Sequence, residues 1–188
     1  MAMWDKIKGA TGGRSGGLPG LGGNRGAGHG GGHGGHGGGQ GGTKSAIIGA
    51  LKSQLSSMKT ELKSGGYRDA SMAMCALVAA ADGSVDPAER QNVEQMILNN
   101  DVLQNFPADQ LRQRFNKHVD HLVRSFVTGK AEAMQEIAKV AKKPAEARAV
   151  VQTGMVVAGA DGYFAQAEAQ VIREACGALG LNPTEFGL

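Results

Sequence analysis

From Lys44 to the end of the chain, apolar residues recur at spacings of three and four, the signature of amphipathic helices. Ile47, Ile48, Leu51, Leu55, Met58 and Leu62 trace one face of a first helix, which Gly65–Gly66 is expected to close. A second helix runs from Arg68 to Ala81; its apolar stretch from Met72 onward is nearly continuous, which predicts a central position. Gly83 stops it, and Pro87, behind Asp86, opens a third helix reaching about Asn100. Pro107 opens the fourth, "ADQLRQRFNKHVDHLVRSF", and Gly129 separates it from "AEAMQEIAKVAKK". Pro144 begins the sixth, whose apolar run Val150 to Ala160 mirrors the second. Gly162 stops that helix, and a last one reaches Leu179–Gly180. No segment alternates in the manner of a strand with turn chemistry at its ends. The pattern predicts an all-α bundle of about seven helices.

Two of these helices end in the same words. "ADGSVDPAER" begins at Ala81 and "ADGYFAQAEA" at Ala160, 79 residues later. At that offset Ala79, Asp82, Gly83, Ala88, Glu89 and Gln91 are matched by Ala158, Asp161, Gly162, Ala167, Glu168 and Gln170. Each copy reads as an apolar helix, a tight turn and an amphipathic helix, over about 68–100 and 147–180. Two such units can bury their central helices against each other, so the bundle is expected to have two pseudo-symmetric halves.

Helix punctuation accounts for much of this motif. Gly83 suits a left-handed turn, Asp86 an N-cap, Pro87 the first helical position and Glu89 the third, which together make a capping box. Two details resist that account. Asp82 and Asp161 lie at carboxyl ends of helices, where the dipole disfavours a negative charge by about 0.3–1 kcal/mol. The second copy also lacks the cap, with Ala165 and Gln166 in place of Asp86 and Pro87, yet keeps Glu168. The other reading is a hard-cation site, for Ca²⁺, Mg²⁺ or Mn²⁺, built from Asp82, Glu89, Asp161 and Glu168. It is not an EF-hand, because Ser84, Val85, Tyr163 and Phe164 do not supply the alternating oxygens of that loop.

Composition divides the chain. Gly9 to Thr43 contains 20 glycines and is expected to be a disordered tether, because it has too little apolar area to offset its ordering entropy. Within it His29, His33 and His36 form a candidate collector of Zn²⁺, or an incidental run of histidines. Ahead of it "MAMWDKIK", residues 1–8, is a short amphipathic segment that could dock on the domain, a partner or a membrane surface. From Lys44 onward, 16 basic and 16 acidic side chains balance, so residues 44–188 form a neutral domain and the net charge of +3 belongs to the leader. Neutrality and 4% aromatics argue against a nucleic-acid partner. Cys75 and Cys176 stand apart in apolar contexts and read as buried thiols of a reducing cytoplasm. No stretch is apolar enough to span a membrane and no signal peptide is legible.

Enzyme chemistry finds no foothold: there is no GxSxG, P-loop or HExxH, and no organic cofactor is implied. His118 and His121 lie three apart on the fourth helix, but a third metal ligand is not evident. With Arg112, Lys117 and Arg124 they read as a solvated basic face, or as a face for an acidic partner or anionic lipid.

The opening "WDKIKG", the "CALVAAADG" with Glu89 behind it, the "FNK" of Phe115–Lys117, the second "ADG" with Glu168, and above all the closing "LGLNPTEFGL" resemble the TerB family of tellurite-resistance proteins. The resemblance runs continuously from about Arg68 to Leu188. It implies an all-helical, non-catalytic cytoplasmic module, at work in tellurite resistance or metal stress as a sensor or scaffold. It also implies partners, a TerC-like membrane protein and TerD-like calcium-binding proteins, and with them a place at the inner face of the cell membrane. Carried over to this chain, the metal positions it implies are Asp82, Glu89, Asp161 and Glu168, with Asp86 as helper. Two features depart from the family pattern: the acid-poor second motif, and the long Gly/His-rich insert. The rival readings are a pure adaptor without a metal site and, further off, a metal-dependent hydrolase.

Overall fold

The computed structural model describes residues 40–160 and 164–188. The segment 1–8, the tether up to residue 39 with His29, His33 and His36, and the residues Asp161, Gly162 and Tyr163 lie outside the described residues. Seven α-helices follow in chain order: α1 (Gln40–Ser57), α2 (Gly65–Ala79), α3 (Pro87–Leu98), α4 (Ala108–Arg124), α5 (Phe126–Ala138), α6 (Pro144–Ala158) and α7 (Gln166–Leu179). Short 3-10 turns occupy Leu103–Asn105 and Pro183–Phe186, and there is no strand among the described residues. The all-α bundle read from the periodicity is what forms.

The two apolar helices, α2 and α6, pack on each other at the centre. A Cβ added to Gly66 would lie 3.6 Å from the Glu146 carboxylate, and one added to Gly154 would strike Met74 Cγ at 2.5 Å. First turns thus lie beside first turns and middles beside middles, so the two helices run in the same direction. Each unit's second helix packs on both central helices: α3 on α2 and α6, and α7 on α6 and α2. The two repeats thereby share one core. One polar contact crosses it: Thr153 donates to the Ala149 carbonyl at 2.8 Å and receives the Tyr67 hydroxyl at 2.8 Å. Burial pushes the Tyr67 phenol up to about 12, so it serves as a donor throughout the physiological range.

α1 belongs to this core. Leu51 and Leu55 are buried, Ile48 fills the space over Gly159, and Gln152 donates to Gln54 at 2.8 Å, so α1 runs antiparallel to α6. It begins at Gln40, inside the segment that composition assigned to the tether.

Two glycines act differently from the punctuation expected of them. Gly65–Gly66 does not close the first helix; α1 ends at Ser57, and these glycines form the first turn of α2. Ser64 caps that turn, accepting the Tyr67 N–H at 3.0 Å. Gly129 does not separate the fourth and fifth helices either. The break falls at Ser125, whose backbone is extended (φ −156°, ψ 104°) and whose hydroxyl faces the Thr128 N–H. Gly129 sits inside α5, where a Cβ would meet the Leu122 backbone nitrogen at 2.6 Å. It is glycine because α4 and α5 touch there.

Candidate functional site

The first repeated turn is assembled from residues 80 to 89. Gly83 takes φ 92°, a conformation open to glycine at little cost, and its N–H bonds the Ala80 carbonyl at 2.9 Å. Asp82 Oδ1 accepts both the N–H and the hydroxyl of Ser84, at 3.0 and 3.2 Å, which folds the loop back from α2. Val85 turns inward to pack against the core. Asp86 Oδ1 then accepts the N–H groups of Ala88 and Glu89 at 2.8 and 2.9 Å, while Glu89 Oε2 accepts the Asp86 N–H at 3.0 Å. Pro87 supplies the first helical position. The full capping box read from the sequence is present. Asp82 and Asp86 are exposed, whereas Glu89 is only 6% exposed.

In the second copy Phe164 is half-buried against the core, and Ala165 holds the same extended backbone as Asp86 (φ −70°, ψ 151° against φ −78°, ψ 162°). Ala165 has no side chain with which to cap, but Glu168 Oε2 still accepts its N–H at 2.7 Å. The survival of Glu168 without an acidic partner therefore has a structural cause: the glutamate satisfies an orphan backbone donor by itself. Among the described residues no three His, Cys, Asp or Glu side chains converge as a metal cluster. Asp82, Asp86 and Glu89 share one turn, Glu168 holds the equivalent of Glu89 in the second unit, and Asp161 is outside the described residues.

The basic face of α4 divides once its partners are known. Leu111, Phe115, His118, Val119 and Leu122 form the buried stripe, so His118 belongs to the core side at 9% exposure and not to a solvated face. Its place follows from spacing: it lies three residues after Phe115 and four before Leu122. His121 is paired through Nδ1 with Glu132 of α5, and Arg112 approaches Glu94 at 4.0 Å. Lys117 and Arg124 are exposed. A metal shared by His118 and His121 does not suit this arrangement, since one ring is buried and the other is held by a carboxylate.

Charge pairing that no motif announced stitches the bundle together. Asp69 receives Arg68 at 2.7 Å and Arg114 at 2.5 Å, and Arg68 also reaches Gln110 at 2.8 Å, which ties the start of α2 to α4. Burial alone would raise the Asp69 carboxyl, but Arg68 and then Arg114 outweigh it and hold the group below the usual carboxylate value. Both thiols are buried, as expected; burial pushes Cys75 up to about 12, and burial with Glu185 nearby raises Cys176 to about 11, so neither is a thiolate near neutrality. Val123 and Val127, 57% and 81% exposed, flank the α4–α5 joint, and the helical periodicity gave no sign of either. No described helix is long and apolar enough to cross a membrane.

Neither a curated protein nor a solved structure gives a significant match to the chain. A family model does, described as tellurite resistance protein TerB, over residues 68–188. That span runs from the first turn of α2 through the last 3-10 turn and takes in both repeated units and the closing "LGLNPTEFGL", with α1 lying ahead of it. The chain belongs to the TerB family of tellurite resistance proteins.

Proposed function

We propose that this chain is a non-catalytic, cation-responsive module of tellurite resistance and metal stress. In this reading the acidic turns that follow α2 and α6 take a divalent cation, Ca²⁺, Mg²⁺ or Mn²⁺, and the cation sets how the bundle meets its partners. Those partners are a TerC-like membrane protein and TerD-like proteins, with peripheral attachment to the inner face of the cell membrane. The observation that supports the reading is the common direction of α2 and α6. It brings the two helix ends to one end of the bundle. The reading draws on exposed Asp82 and Asp86 and inward Glu89 from the first unit and on Glu168 from the second, with Asp161 as the sequence counterpart of Asp82. Asp82 stands beyond the negative end of α2, where a cation would offset both the carboxylate and the helix dipole.

A second reading, an adaptor whose acids only cap helices, draws support from Glu89 and Glu168, each of which accepts a backbone N–H at a helix start. Calorimetric titration of the full chain with Ca²⁺, Mg²⁺ and Mn²⁺ separates the two. The cation reading expects saturable binding that is abolished in a chain with Asp82→Asn and Asp161→Asn, while both chains remain folded. Absence of heat with a folded wild-type chain leaves the adaptor. A Zn²⁺ titration with His29, His33 and His36 changed to Ala reports on the tether separately.

A further inference from the structure

His118 is a histidine set into the core with one ring nitrogen unserved. It lies between Phe115 and Leu122 on the buried stripe of α4, and its Nδ1 has no hydrogen-bond partner among the described residues. A neutral imidazole tolerates this with Nδ1 as a bare acceptor and the proton on Nε2. A second proton would put an unpaired donor and a charge in the same place, and both are costly to bury.

The acids that act on His118 are already engaged. From α5, Glu136 and Glu132 act on His118 in favour of its charged form; from α4 itself, Lys117 and His121 act against it. Glu132 is held by His121, and Glu136 by Lys139 at 2.7 Å. The other helices packed on α4 keep their charges occupied elsewhere. On α2, Arg68 and Asp69 bind Gln110 and Arg114; on α3, Arg90 binds Asp120 and Glu94 receives Asn116. The nearby joint is narrow, because only Ser125 separates α4 from α5 and Gly129 lies against the Leu122 backbone.

We infer that His118 is a proton-operated latch on the α4–α5 joint: neutral, it stays on the buried stripe of α4 one turn before the joint, and protonated, it leaves the core and the joint opens. The tip that would be freed carries the exposed Val123, Arg124 and Val127. The inference is independent of any cation at the acidic turns.

Burial, ahead of the neighbouring charges, holds His118 below its ordinary value while the joint is closed. In the open joint it returns to about 6.5. The open form therefore binds more protons across the interval between the two values. Closure is fully stable above the ordinary histidine range and is lost as pH falls through the depressed value. Across that interval the opening constant should rise up to about tenfold per pH unit for a single proton.

The test is NMR on the full chain, following the His118 ring proton and the hydrogen-exchange protection of α4–α5 amides against those of α6. The expected result is a His118 midpoint below that of an ordinary histidine, with α4–α5 protection falling over the same interval and α6 protection unchanged. His118→Phe should make the joint insensitive to pH, and His118→Gln serves if the Phe variant does not fold. An ordinary midpoint for His118 would overturn the latch, as would α4–α5 protection that tracks α6 at every pH. Each of these results can be read from the wild-type chain alone.

Discussion

The starts of α3 and α7 are the same device built to different completeness. At α3, Asp86 closes on two backbone donors while Glu89 closes back on Asp86, and Arg90 reaches across to Asp120 of α4 at 2.8 Å. At α7 the return bond from Glu168 remains without a capping side chain at Ala165, and the helix is tied through Glu174 to Lys130 of α5 at 2.5 Å. The glutamate is what the two share. An N-cap side chain can be lost where the backbone already holds the extended conformation and the third helical residue still reaches back. A repeated acid therefore does not by itself identify a ligand, and the exposed Asp82 and Asp86 are better discriminators than Glu89 or Glu168.

The largest effect that would break the equivalence of the units lies in their central helices. Leu77 is fully buried, whereas Val156 at the matching position is half-buried. Leu77→Ala should cost about 2–5 kcal/mol in urea unfolding, and Val156→Ala less than half of that. Equal losses would mean that the two halves share the core evenly. The caps come next. Asp86→Ala should destabilise by about 0.5–2 kcal/mol, and Ala165→Asp should stabilise by up to the same amount, because the backbone there is already set for a cap. A neutral Ala165→Asp would show that α7 gains nothing from completing the box.

Asp82→Asn is a finer probe. Asn keeps an oxygen for Ser84 and removes the charge at the end of α2, so without added cation it should gain about 0.3–1 kcal/mol. The same change should abolish any stabilisation by Ca²⁺ or Mn²⁺ if the turn binds them. The smallest expected effect is at the far side of α7. A double-mutant cycle on Lys130 and Glu174 should give about 0.2–1 kcal/mol, toward the low end because both groups are about one-third exposed. The hydrogen bond from Lys130 holds Glu174 below its usual value. That contribution is complete above the ordinary carboxylate range and fades as pH falls through the depressed value.

The periodic helices, the Asp86–Pro87–Glu89 cap and the Pro144 start were legible because each is a local rule, written within a few residues of where it acts. What escaped was set by neighbours distant in sequence. Gly129 and Gly65–Gly66 read as breaks, since sequence alone does not say whether a glycine is chosen for its backbone or for the space beside it. His118 read as part of a basic face because the charges of Lys117 and His121 masked the interval linking it to Phe115 and Leu122. The Tyr67–Thr153 bond spans 86 residues and has no local trace. At the candidate site, the acids and their repeat were visible, but not that Glu168 would be engaged by the backbone of a residue unable to cap.

The contact between Gly154 and Met74 has a consequence for how such chains diverge. A single added carbon at position 154 would fall on Met74 Cγ, and the Met74 side chain is fully buried. For drift the two positions are then one locus. Related chains that acquire bulk at the place of Gly154 should carry a smaller residue at the place of Met74, and the paired change should be found far more often than either alone.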